Sequence, residues 1–304
     1  MKYTSSENKV IMTDHDSFNI KEILECGQCF RFTSVSDMHY KIIAFGKVLH
    51  ICQKENSVEF YPCTVSEFES VWIDYFDLKT DYSLIKETLS SDEILKTAIA
   101  YAGGIRLLNQ DPWECLISFI ISQNNRIPMI KQVIKNISEK YGTLCEEEYL
   151  FPTPSQLTLC DIDSLMLCKT GFRARYIRDA IDKISSSEVD LSLFPEMTTE
   201  EAKQKLISIK GVGEKVADCV LLFSLRRREV FPTDVWVKRV MEHFYFDGKD
   251  TPIKEIHSFS KEKWGEYAGY AQQYLFYYAR SLQIGTDKNS KIKENKSKSK
   301  KTNK

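Results

Sequence analysis

Leu206-Ile-Ser-Ile-Lys-Gly-Val-Gly-Glu-Lys-Val-Ala-Asp-Cys219 is the stretch on which the fold turns. Upstream of it, TTEEAKQKLISI reads as a helix, with Thr198 as its cap and Glu201 as the reciprocal partner three residues on. Gly211-Val212-Gly213 makes a tight turn, because glycine tolerates the backbone angles that turn demands. A second helix starts near Glu214 and runs to about Leu225, so residues 199–225 form a helix-hairpin-helix. The turn offers backbone N–H groups at the start of the second helix, and such groups suit a phosphate. Lys215 lies in the first turn of that helix, where the dipole opposes positive charge. A nucleophilic amine has to be neutral, so the placement has a chemical use.

Working outward, the chain has 304 residues, 42% hydrophobic and 28% charged, which is room for two modest domains in a soluble globular protein. No apolar run reaches membrane-spanning length, and Met1-Lys2-Tyr3 leads into polar residues rather than a signal peptide. Nine cysteines are scattered and only Cys26 and Cys29 are close, which fits a reduced, cytoplasmic protein better than a disulfide framework. Net charge is −1, unevenly spread. From Gly285 to Lys304 eight lysines face Asp287 and Glu294, a balance of +6 that leaves residues 1–284 near −7. Any nucleic-acid surface on that body must be a local basic patch.

The first dozen residues read as loose. From Gln28, QCFRFT, HYKIIAF, KVLHICQ and SVEFYP read as short strands separated by turns, an antiparallel sheet of four or more strands ending near Tyr61. Thr64 and Glu67 form a second capping box ahead of Phe68, Val71, Trp72, Tyr75 and Phe76, whose spacing predicts a helix that covers the sheet. From about Asp81 the chain reads helical. Asp92 to Ala102 is one helix, and Asp111-Pro112 opens an apolar one through Ile121. Further helices are expected at 130–141, 156–168 and up to Ile184, then the hairpin. The loop Phe231-Pro232-Thr233-Asp234 precedes a helix from Val235, and one long helix is expected from Trp264 to Leu282. The fold class is α+β. An N-terminal sheet domain with covering helices occupies 1–98, a helical domain with the hairpin and the 231–234 loop occupies 99–284, and a disordered lysine-rich tail occupies 285–304.

Asp234 precedes a helix, where a carboxylate accepts N–H bonds and stays ionised; a plain helix cap is the ordinary reading of it. Lys215 alone is ordinarily a surface lysine. A hairpin with a first-turn lysine, followed nineteen residues later by Pro-x-Asp, is more specific. It resembles the helix-hairpin-helix DNA glycosylases, and within them the 8-oxoguanine DNA glycosylases of eukaryotic type that also occur in some bacteria. The resemblance spans most of 14–282. It rests also on Cys-Gly-Gln-Cys-Phe-Arg at 26–31, on Asp-Pro-x-Glu-Cys-Leu at 111–116 with Asn124-Asn125, on Gly-Phe-Arg-Ala-Arg-Tyr at 171–176, and on Tyr-Ala-Gly-Tyr-Ala-Gln at 267–272 with Leu275-Phe276.

The resemblance implies a twisted antiparallel, TBP-like sheet joined to a helical glycosylase domain, with double-stranded DNA containing 8-oxoguanine as partner. It implies that Lys215 attacks the sugar and forms a Schiff base, with β-elimination then nicking the strand, and that Asp234 stabilises the charge developing on the sugar. The Gly27 carbonyl would accept the N7 proton that oxidised guanine carries. Phe276 and Cys219 would cover the two faces of the base, and Gln272 would read its Watson–Crick edge. Asn124 and Arg173 would fill the gap and read the opposite base, while Gly211, Gly213 and Trp236 would contact DNA. The ordinary readings stand beside these: a strand turn for Gly27, core for Phe276 and Cys219, an exposed polar for Gln272, a loop cap for Asn124.

Three departures from the family pattern matter. Met129 stands where a second arginine is expected, so preference for cytosine opposite the lesion should be relaxed. Trp236 replaces a histidine, and Phe172 a tyrosine. No cysteine follows Cys219, so the four-cysteine iron–sulfur cluster of related glycosylases has no ligands, and the five histidines lack zinc spacing. No cofactor is expected, and the protein is read as a cytoplasmic, bacterial monomer that meets the nucleoid through DNA. The lysine tail either adds salt-sensitive DNA attraction or only solubility. Two other functions share features with this one. An alkylbase glycosylase has the same layout but needs no lysine, and a non-enzymatic DNA binder would use the hairpin alone.

Overall fold

A computed structural model describes residues 2–13 and 15–283; the 285–304 tail lies outside the described residues. Six strands form one antiparallel sheet: β1 (Tyr3–Ser6), β2 (Lys9–Met12), β3 (Phe32–Ser36), β4 (His39–Ala44), β5 (Lys47–Lys54) and β6 (Ser57–Tyr61). Their spatial order is β1-β2-β6-β5-β4-β3. The N-terminal segment is therefore not loose. Val10 and Met12 are buried against β6, with Val10 opposite Phe60, and that pairing extends the sheet.

Strand alternation sorts the sheet into two faces. Tyr40, Ile42, Leu49, Ile51, Val58 and Phe60 point into a core. The Thr64–Glu67 capping box forms and starts the covering helix, which passes through a π-helical turn at Phe68–Trp72. Phe68, Trp72, Tyr75 and Phe76 fill the same core, together with a short helix not anticipated from the sequence, α1 (Ile20–Glu25).

The helices that follow are α2 (Tyr82–Leu89), α3 (Glu93–Tyr101), α4 (Pro112–Ser122), α5 (Ile127–Tyr141), α6 (Ala174–Ser185), α7 (Thr199–Ile207), α8 (Glu214–Ser224), α9 (Val235–Tyr245), α10 (Ile253–Trp264) and α11 (Ala268–Ser281). Asp111 caps α4 with Pro112 at its start, and every residue from Cys115 to Ile121 is buried, so α4 runs through the helical core. The 156–168 segment is two short helices, Pro154–Leu157 and Ile162–Leu167, rather than one. The expected single helix from Trp264 is also corrected. Trp264 ends α10, and Gly265, at φ 52, turns the chain before α11 starts. The two cores interleave along the chain: Cys26 and Phe30 pack with the helices, and Leu108 packs with the sheet.

Candidate active site

The hairpin folds as its residues dictate. Thr198 and Glu201 form the capping box of α7, and Gly213 caps α8. Gly211 has φ +80, and a Cβ there would lie 2.3 Å from the Tyr176 ring. Only glycine meets both the backbone angle and the contact. A Cβ on Gly213 would meet nothing within 4 Å, so the α8 start is open to an approaching group. Gly211→Ala is expected to destabilise the protein by about 2 kcal/mol or more, a left-handed backbone penalty with a clash added. Gly213→Ala meets open space but replaces a favoured N-cap residue, so it should cost only about 0.5–1 kcal/mol, and thermal unfolding of the pair checks the contrast.

Val216 to Phe223 are buried, which anchors α8 against α4. Lys215 stands in the first turn, half-buried, with its Nζ 5.1 Å from the centroid of the Phe119 ring. Asp234 caps α9, accepting a 2.7 Å bond from the Val237 amide. Both side chains line one cavity of about 380 Å³. Two helix starts from different parts of the chain thus put an amine and a carboxylate on one space.

Gly27, Cys219, Gln272 and Phe276 line the same cavity. Gly27 has φ +89, and a Cβ would come within 3.3 Å of the Phe276 ring. The loop around it is held by two glutamines. Gln28 is fully buried; its amide donates to the carbonyls of Ile23 (2.9 Å) and Arg106 (2.8 Å) and accepts from Leu108 N (2.9 Å). Gln273 donates to the Cys26 carbonyl at 2.9 Å. Burial pushes the Cys219 thiol up to about 11, although neighbouring Lys215 pulls it down, so the sulfur presents a neutral wall. Gln272 is 5% exposed and its Oε1 has no partner among the described residues, an acceptor held ready inside the cavity.

The remaining sites sit differently. Trp236 lines the cavity with its indole N–H buried and unpaired among the described residues. Asn124 is exposed at φ 49 on the tight link between α4 and α5, outside the cavity lining. Arg173 is buried, and its guanidinium donates to the carbonyls of Gln123 (2.8 Å), Asn124 (2.9 Å) and Thr170 (3.3 Å). In the free protein it therefore shapes the link that carries Asn124. Phe172, beside it, and Met129 are exposed. Phe119, Arg126 and Arg280 also line the cavity and were not singled out from the sequence. Nothing local marks them, since α4, the start of α5 and α11 bring them in through tertiary packing.

Among the described residues no group of three or more His, Cys, Asp or Glu side chains is arranged to hold a metal ion. None of the described helices is long and apolar enough to cross a membrane.

Comparison with known proteins adds to the geometry. Residues 10–116 match the model of the 8-oxoguanine DNA glycosylase N-terminal domain, and 117–266 match that of the HhH-GPD superfamily base excision DNA repair proteins. A probable N-glycosylase/DNA lyase of Methanothermobacter thermautotrophicus is 34% identical over 229 residues, 67% of this chain and 72% of that protein. The N-glycosylase/DNA lyase of Saccharomyces cerevisiae is 31% identical over 57% of this chain and 56% of its own length. The structure of Clostridium acetobutylicum 8-oxoguanine glycosylase/lyase, solved with double-stranded DNA containing cytosine opposite 8-oxoguanine, superposes with a TM-score of 0.90. It is 42% identical, covering 93% of this chain and 99% of that one.

Proposed function

We propose a function from one premise: the chain belongs to the 8-oxoguanine DNA glycosylase/lyases of the HhH-GPD superfamily of base excision DNA repair proteins. It removes 8-oxoguanine from duplex DNA and then nicks the strand at the abasic site. The observation that carries this reading is the shared cavity. Lys215 and Asp234 stand in it beside an unpaired, buried acceptor on Gln272 and the Phe276 ring.

The steps follow from those groups. The lesion leaves the helix at a cost of roughly a few kcal/mol and enters the cavity between Phe276 and Cys219. The Gly27 carbonyl takes the N7–H, which undamaged guanine lacks, and Gln272 takes the Watson–Crick edge. A dry site that leaves a group unpaired rejects the wrong base strongly. Lys215 Nζ bonds to C1′ as the glycosidic bond breaks, and that bond's electron pair leaves with the base. Asp234, held by the Val237 amide, faces the positive charge that builds on the sugar. One Nζ proton passes to O4′ as the C1′–O4′ bond breaks and the sugar ring opens, giving the C1′ iminium with Lys215. The C2′ proton then passes to the departed base anion, the C2′–H pair forms the C2′=C3′ bond, and the 3′ phosphate leaves with the C3′–O pair. This chemistry uses the chain's own amine and carboxylate and calls on no cofactor.

DNA approaches the open start of α8 at Gly213 and the α9 start at Trp236, with Asn124 in the gap left by the flipped base. In this reading 1–98 and 99–284 act as one cytoplasmic monomer on DNA. A duplex with a single 8-oxoguanine tests it: free base and a strand break without alkali are expected. Base release with breaks only after alkali would favour an alkylbase-type glycosylase, and binding without either product would favour the non-enzymatic reading.

Opposite-base preference is the second testable feature. Met129 is exposed in the first turn of α5 and cannot donate to a cytosine. Excision rates opposite adenine and cytosine are expected to agree within about tenfold, one hydrogen-bonded contact being absent. Strict dependence on cytosine in single-turnover assays would contradict this.

A further inference from the structure

Behind the 231–234 loop lies a polar group that the reaction above does not use. Thr233 is 5% exposed, and its Oγ1 donates to the Phe231 carbonyl at 2.9 Å. Having given its one proton, that oxygen can only accept. The 3.1 Å contact between Thr233 Oγ1 and His257 Nε2 is therefore donated by the ring. His257 comes from α10, 24 residues further on, so the link is tertiary. Charged groups near the ring are Asp218, Lys203 and Glu214. Asp218 is 1% exposed and pairs with Lys203 at 2.9 Å. Burial holds His257 below its ordinary value, while Asp218, Glu214 and an interaction with the Phe231 backbone pull the other way.

We propose that His257 and Thr233 are positioning residues for Asp234, pinning the turn that carries the carboxylate through contacts from His257 to Thr233 and to the Phe231 backbone, and from Thr233 to the Phe231 carbonyl. This rests on the role assigned to Asp234 above. The Val237 amide orients the carboxylate relative to α9, but that bond does not set where the irregular chain ahead of α9 runs. Thr233 and Phe231 are buried, and the Thr233 hydroxyl ties the last residues before Asp234 to a second helix. A carboxylate stabilises a developing cation only from a fixed place, so slack in this turn should slow chemistry and leave DNA binding alone.

The test pairs a breaking and a conserving change at each end of the link. Thr233→Val and His257→Leu should each slow single-turnover excision about tenfold or more. Affinity for a duplex carrying a tetrahydrofuran abasic analogue should stay within about twofold. Thr233→Ser and His257→Gln, which keep the hydroxyl and an N–H donor, should recover most of the rate. The double variant should be no slower than the single ones, because both break one link. A wild-type rate in Thr233→Val, multiplying losses in the double variant, or losses that the conserving variants do not relieve would overturn the proposal. Wild-type excision in the same assay checks the functional reading separately. A wild type that excises beside an unaffected Thr233→Val counts against this inference alone.

Discussion

Lys215→Gln leaves 8-oxoguanine in the duplex: the single-turnover excision rate falls by about 10³-fold or more, as expected when the group that forms the covalent bond is removed. Glutamine nearly preserves the shape of the side chain, and its amide nitrogen cannot form an iminium. The fold has no reason to suffer. Lys215 makes its contact with the Phe119 face at 5.1 Å rather than through an ion pair, and it sits at the end of α8 where the helix dipole disfavours a cation. Thermal unfolding should therefore be unchanged or slightly raised. Near-wild-type excision, with or without a stability loss, would remove lysine from the chemistry.

The second large effect is on stability. Gln28→Ala is expected to destabilise the protein by about 2–4 kcal/mol, because it strands two buried backbone groups at roughly 1–3 kcal/mol each, partly relaxed. Those groups are the Arg106 carbonyl and the Leu108 amide; the Ile23 carbonyl keeps only the weak Cys26 thiol donor at 3.1 Å. The Gln28 carbonyl also accepts from the Gln110 side chain at 2.7 Å, so the residue ties the Gly27 turn to the segment that leads into α4. Denaturant unfolding measures the cost. A loss below about 1 kcal/mol, typical of a surface change, would show that the clasp is dispensable.

Gln28 also shows where reading a sequence runs out. It stands in the 26–31 motif with Gly27 and Phe30, but its four hydrogen bonds reach carbonyls and amides up to 82 residues away, and no local pattern announces those partners. The capping boxes at Thr64 and Thr198 were legible because donor and acceptor lie three residues apart. So was α4, whose Asp-Pro start and unbroken apolar run admit little else. The β1–β2 hairpin was not, because its two four-residue strands read as a polar leader until Val10 and Met12 meet β6. Helix α10 was hidden for a similar reason: within it only Ile256, Ser260 and Trp264 are buried.

The candidate site followed the same division. Lys215 and Cys219 share one helix, and Gln272 and Phe276 another, at a spacing of four that sets each pair on one face. That these faces meet Gly27 and Asp234 around one cavity is a matter of packing between α4, α8 and α11, with Phe119 set beneath Lys215. The Arg173 guanidinium, expected to reach DNA, holds the carbonyls of Gln123 and Asn124 in the free protein. Spacing alone could not reveal that, since the partner segment lies 50 residues earlier.

In the proposed reaction Lys215 becomes covalently joined to the sugar. Borohydride reduces an iminium to a stable amine, so it freezes that intermediate on the DNA. Wild-type protein and Lys215→Gln, each incubated with an 8-oxoguanine duplex and sodium borohydride, are compared by denaturing gel. A protein–DNA adduct is expected with wild type and none with Lys215→Gln. An adduct of equal yield from both, or base release by wild type with no adduct at all, would rule out Lys215 as the nucleophile.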